Sequence, residues 1–101
     1  MLRHVVLFTW RPEATEERLQ TVVTELRKLP GVIAEIRAYE VGPDARINRG
    51  NFDFAVVADF DDRDAYLIYR NHPAHRAVVE EHITPIAATR AAVQYETGPR
   101  Q

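Results

Sequence analysis

Two stretches of this chain, residues 2–10 and 52–60, carry apolar side chains on both faces of a two-residue repeat. No other feature limits the architecture as much. In the first stretch His4, Val6, Phe8 and Trp10 share one face, and Val5 and Leu7 sit on the other. In the second, Phe52, Phe54, Val56, Ala58 and Phe60 alternate with Asp53, Ala55, Val57 and Asp59. A sheet with helices on one side and water on the other shows a clean apolar/polar alternation. Here the face opposite Val6 and Phe54 offers Val5, Leu7, Ala55, Val57 and Ala92. Each large aliphatic side chain left in water forgoes roughly 1.5–3 kcal/mol of burial. Several together rival the ~5–15 kcal/mol stability of a small domain. A second copy covering that face is the simplest resolution, since twofold homodimers are the commonest assemblies. The alternative is an unusually apolar exposed sheet.

The remaining elements follow from spacing. Thr15 caps a helix that opens with Glu16 and Glu17 and carries Leu19, Val22, Val23, Leu26 and Leu29 at intervals of three and four. Pro30-Gly31 stops it. Residues 32–41 read as a strand, with Val32, Ala34, Ile36 and Ala38 on one face. A polar loop over 42–51 follows. After the strand at 52–60, Asp61 or Asp62 caps a short helix through Asn71 with Ala65, Ile68 and Tyr69 inward. His72-Pro73 breaks it and begins another helix, because proline suits a first helical position. There His75, Val78, Val79, His82, Ile83 and Ile86 repeat at helical spacing. Residues 89–96 form the last strand, and 97–101 a frayed tail. The order β-α-β-β-α-α-β defines an α+β, ferredoxin-like domain over 1–96, with a four-stranded antiparallel sheet and its second helix broken in two.

Composition removes several function classes. The 101 residues include no cysteine, so disulfides, thiolate metal sites and cysteine nucleophiles are excluded. A net charge of −2 argues against general nucleic-acid binding. No apolar run approaches the ~20 residues of a membrane span, and no signal-peptide pattern opens the chain. A cytoplasmic location is expected.

The most unusual local feature is Tyr69-Arg70-Asn71-His72-Pro73-Ala74-His75. His75 lies within its helix's apolar stripe, so its imidazole points into the core or a core-lined pocket and needs a hydrogen-bond partner. Imidazole is also the side chain that titrates near neutral pH. His72, at the junction, is placed to cap or pack locally. His82 lies two turns beyond His75, roughly 10 Å along the axis, too far for one metal to bridge them. No histidine pair here has metal-ligand spacing with a carboxylate on the same face, and no metal is assigned. Arg46 and Arg49 sit in the polar loop, where solvation explains them better than an anion clamp. Trp10 and Tyr39 suit either an interface or the core.

Taken together, His4-Val5-Val6-Leu7-Phe8, Leu29-Pro30-Gly31-Val32, 52–61, the Tyr69–His75 segment, Ile83-Thr84-Pro85 and Val93-Gln94-Tyr95-Glu96 resemble the stress-responsive dimeric α/β-barrel (Dabb) family. The resemblance spans nearly the whole chain. It implies a dimer in which two four-stranded sheets close into a barrel. One plant member of the family is a polyketide cyclase that performs an intramolecular aldol condensation. By resemblance its catalytic histidine falls on His75, its partner tyrosine on Tyr69 and a first-strand histidine on His4. A further pocket histidine of that enzyme falls on Phe54, which is a departure.

Two functions are therefore expected to compete. In the first, His75 is a general base that removes a proton next to a carbonyl, and Tyr69 donates a hydrogen bond to it or to the developing enolate. His4 holds a substrate oxygen, and Phe8, Phe54 and Ile86 wall a small apolar or carbonyl ligand, with no cofactor. In the second, the chain is a non-catalytic, stress-related binding or structural dimer, and His75 is a satisfied core histidine. A pocket reaching both His75 and Tyr69 favours the enzyme.

Overall fold

The computed structural model describes residues 1–98. Its elements are β1 (Leu2–Trp10), α1 (Glu16–Arg27), β2 (Ala38–Pro43), β3 (Phe54–Phe60), α2 (Arg63–Asn71), α3 (Pro73–Val78) and β4 (Ala87–Glu96). A 3-10 turn, Leu29–Gly31, follows α1, and a π-helical turn, Val79–Ile83, extends α3. The sheet order is β2-β3-β1-β4, antiparallel throughout. This is the ferredoxin-like arrangement, with the helices on one face.

The core lies between that face and the helices. Val6, Phe8, Phe54, Val56, Ala58 and Phe60 from the sheet meet Val22 and Leu26 of α1, Tyr69 of α2 and Val78 of α3. The caps follow the side chains expected. Thr15 Oγ1 accepts the Arg18 N–H, and Asp62 Oδ1 accepts the Ala65 N–H at 2.9 Å. Among the described residues, no helix is long and apolar enough to cross a membrane.

The structure corrects several local expectations. The strand expected over 32–41 begins only at Ala38 and runs to Pro43, taking Gly42 and Pro43 from the expected loop. Residues 32–37 turn instead. Ile33 is fully buried beneath α1, its N–H bonded to Leu29 O at 2.8 Å, and Val32 is 60% exposed. Anchoring Ile33 in the core overrides the two-residue alternation there. On α2 the inner stripe is Ala65, Tyr66 and Tyr69, because Ile68 points outward at 49% exposure. β3 starts at Phe54 rather than 52, since the Asp53 carboxylate accepts the Trp10 N–H at 2.7 Å.

Ala92 also changes sides. The register pairs Val6 with Ala92 and Val5 with Val93. The helix-free face therefore carries Val5, Leu7, Ala55, Val57, Ala91 and Val93, and Ala92 shares the other face with Val6. The last strand starts two residues earlier than expected, at Ala87. Of the expected tail at 97–101, Thr97 donates its N–H to Met1 O at 2.9 Å, and 99–101 lie outside the described residues.

Candidate active site

The site is built around the break between α2 and α3. In a continuous helix the Ala74 N–H would bond to Arg70 O, four residues back. At His72 the backbone turns extended and Pro73 restarts the helix. The Ala74 N–H then goes to His72 Nδ1 at 3.0 Å, so His72 is the cap of α3. This leaves the Arg70 carbonyl without its helical partner. His75 Nδ1 lies 3.2 Å from it. A carbonyl only accepts, so Nδ1 carries the proton and Nε2 keeps its lone pair. The sequence break thus sets the tautomer of the histidine three residues later.

His75 lies against Tyr69, with ring centroids 4.1 Å apart. Tyr69 is buried among Phe60 and Tyr66, and its hydroxyl is 3.0 Å from the hydroxyl of Tyr39 on β2. Burial pushes the Tyr39 phenol up to about 12 and the Tyr69 phenol higher still, where the neighbouring Tyr39 adds to the effect. Both therefore act as neutral hydroxyls. Either hydroxyl can donate in this pair, and when Tyr39 donates, the Tyr69 proton is left for another acceptor. Burial also holds His75 below the usual imidazole value, against the Arg70 carbonyl, which favours the charged form.

His4, on β1, faces the same space. Its Nδ1 is 2.9 Å from Gln94 Nε2, and its ring packs on Tyr66 at 4.9 Å. The Gln94 amide N–H donates, so His4 carries its proton on Nε2. Burial first, then the charge of Arg90, lowers its pKa to about 4. It is a neutral donor at physiological pH.

A cavity of about 430 Å³ reaches His4, Phe8, Tyr69 and His75. Val6, Leu26, Val56, Val79 and Ile83 supply apolar wall, and Arg11, Arg70 and Arg90 also line it. The other two expected wall residues lie elsewhere. Phe54 packs on Trp10 at 5.4 Å in the core, and Ile86 is 2% exposed, its carbonyl accepting the Arg11 N–H. Val79 and Ile83 belong to the π-helical turn, where the Thr84 N–H reaches back five residues to Val79 O at 2.8 Å. Such turns recur at functional sites. Over five residues a π turn and an α turn leave nearly the same apolar pattern, so the sequence does not reveal it. No sequence pattern links Tyr39 to Tyr69, because the two lie 30 positions apart. Nor did spacing bring Arg11, Arg70 and Arg90 together.

The remaining features have local explanations. Trp10 stacks on Phe8, with ring centroids 5.6 Å apart. Arg46 pairs with Asp53 at 2.9 Å. His82 lies beside Glu81, outside the cavity. Among the described residues no three histidine or carboxylate side chains converge as a metal site.

Residues 2–97 match the stress responsive A/B barrel domain family, Dabb. A dimeric ferredoxin-like protein of unknown function from Thermobifida fusca superposes with a TM-score of 0.89 and is 43% identical, covering 95% of this chain and 90% of that one. An uncharacterized protein of Streptomyces coelicolor is 36% identical over 81 residues, 78% of this chain and 84% of its own. The hydroxynitrile lyase of Passiflora edulis shares the fold, with a TM-score of 0.82 over 97% of this chain and 96% of that one, but is only 18% identical. On its sequence match and its fold, this chain belongs to the stress-responsive A/B barrel (Dabb) domain family.

Proposed function

We propose that this chain is a homodimeric, cofactor-free enzyme that acts on a small carbonyl compound, polyketide-like or otherwise, with His75 as general base. The observation that carries this is the cavity itself, in which one histidine offers a lone pair and another offers a proton. In lyase-type chemistry His75 Nε2 takes a hydroxyl proton as the adjacent carbon–carbon bond breaks, and returns that proton to the departing carbanion; in condensation it takes a proton from the carbon next to the carbonyl. Negative charge then gathers on the carbonyl oxygen, where His4 Nε2–H and the Tyr69 hydroxyl are donors. The shared fold of a hydroxynitrile lyase supports this fold as a frame for such reactions.

The dimer draws on the helix-free face, where Val93 is 56% and Tyr95 46% exposed beside the half-buried Val5, Leu7 and Val57. The dimeric relative from T. fusca supports the same assembly.

A non-catalytic, stress-related binding dimer is the second reading, favoured by the tight cluster of Phe60, Tyr66 and Tyr69. His75→Gln separates the two. For a general base, exchange of the proton next to a ligand carbonyl into D2O falls roughly 10²–10⁴-fold while thermal stability changes little. A variant that loses stability and leaves exchange unchanged would establish the structural role.

A further inference from the structure

The cavity's charged lining is one-sided. The whole chain has 15 acidic and 13 basic residues, yet the cavity is lined by Arg11, Arg70 and Arg90 and by no aspartate or glutamate. Elsewhere Arg3, Arg37, Arg46 and Arg76 each pair with a carboxylate. Among the described residues the three cavity arginines have no such partner. Arg11 Nε reaches the Ala87 carbonyl at 3.3 Å, and Arg70 Nε makes a long contact with Asn71 at 3.4 Å. Arg90 stands opposite Phe8 in the β1–β4 register and so emerges on the cavity side of the sheet. Its charge is felt at the His4 ring. An apolar hollow with unpaired guanidinium groups at its edge suits a ligand with an apolar body and an anionic end. Guanidinium matches carboxylate in both charge and planar geometry.

We propose that the cavity selects a carboxylate-bearing carbonyl compound, an oxo acid, with the carboxylate held by Arg90 and Arg11 and the carbonyl turned toward His75, Tyr69 and His4. This rests on the reading of the cavity as a carbonyl site and narrows its substrate class.

The test compares two probes of nearly the same shape, 4-oxo-4-phenylbutanoate and its uncharged amide. Binding is followed by NMR of the histidine ring signals, and exchange of the protons next to the ketone is followed in D2O. The acid is expected to bind at least about tenfold tighter than the amide in low salt, with the gap narrowing as salt screens the charge. In the Arg11→Gln/Arg90→Gln double variant the two affinities should converge within about twofold, with His75 still perturbed by the amide. An amide that binds as well as the acid, a gap that survives in the double variant, or binding of neither probe would overturn the proposal. The outcomes also separate it from the catalytic reading. An amide that exchanges its protons through His75 without any advantage for the acid defeats the charge selection alone. An arginine-dependent preference for the acid, with exchange no faster than in His75→Gln, defeats the catalysis alone.

Discussion

The hydroxyl of Tyr39 on β2 lies 3.0 Å from the hydroxyl of Tyr69 on α2, so a strand at the sheet edge orients a side chain in the cavity beneath the helices. If Tyr39 acts only through Tyr69, Tyr39→Phe lowers kcat and leaves KM nearly unchanged. It also leaves a buried hydroxyl short of a partner, at a stability cost of ~1–2 kcal/mol. In a Tyr69→Phe background the same change should have no further effect on kcat. Steady-state kinetics and urea melts of the double-mutant cycle measure both quantities.

His72 and His75 are separated by chemistry rather than by distance. His72 caps α3 through Nδ1, so His72→Ala should lose about 1 kcal/mol of stability. Asparagine is also a strong helix cap, and His72→Asn should recover most of that loss. Both variants should keep activity per folded molecule, because His72 does not line the cavity. Thermal melts with parallel activity assays decide it.

Acid should act on this molecule twice. In the proposed reaction His75 must be neutral, and burial holds it below the usual imidazole value of ~6.5, so the acid limb of kcat/KM should fall below that pH. His4 has a folded-state pKa of about 4, whereas the unfolded chain takes up its proton near ~6.5. Between those values the unfolded state binds more protons, so stability is fully present above pH ~6.5 and is lost as pH falls toward 4. The loss from this group is on the order of 3 kcal/mol. His4→Gln should flatten the pH dependence of urea stability across that window.

The helix-free face gives a prediction about assembly. Val93 is 56% exposed in the single chain, so Val93→Asp should cost an isolated copy little. Within a sheet-to-sheet dimer the same change buries an unpaired carboxylate, which is strongly destabilising. Sedimentation at micromolar concentration should then show the mass halved while the circular dichroism spectrum is preserved. Wild-type chain sedimenting as a single copy would remove the dimer from the proposal.

The local grammar of this chain was legible without coordinates. Thr15, Asp62 and Pro73 mark helix starts through interactions spanning three residues or fewer, and such interactions are written in neighbouring letters. The two-faced strands and the order of elements likewise led to the ferredoxin-like sheet. His75 and Tyr69 stood out because the His-Pro break and the helical stripe are both local patterns, and the family resemblance pointed to the same pair.

What required the tertiary structure was everything fixed by packing across long separations. The register of β4 against β1 put Ala92 on the helix side and Val93 on the open side. Burial of Ile33 under α1 turned 32–37 away from strand geometry. Phe54 and Ile86 went to the core, and Arg11, Arg70 and Arg90 came together at the cavity. Side-chain periodicity states which residues share a face of one element, because backbone geometry is local. Which faces meet, and at what offset, depends on how side chains of different elements fill the space between them, and that is decided only when the whole chain packs.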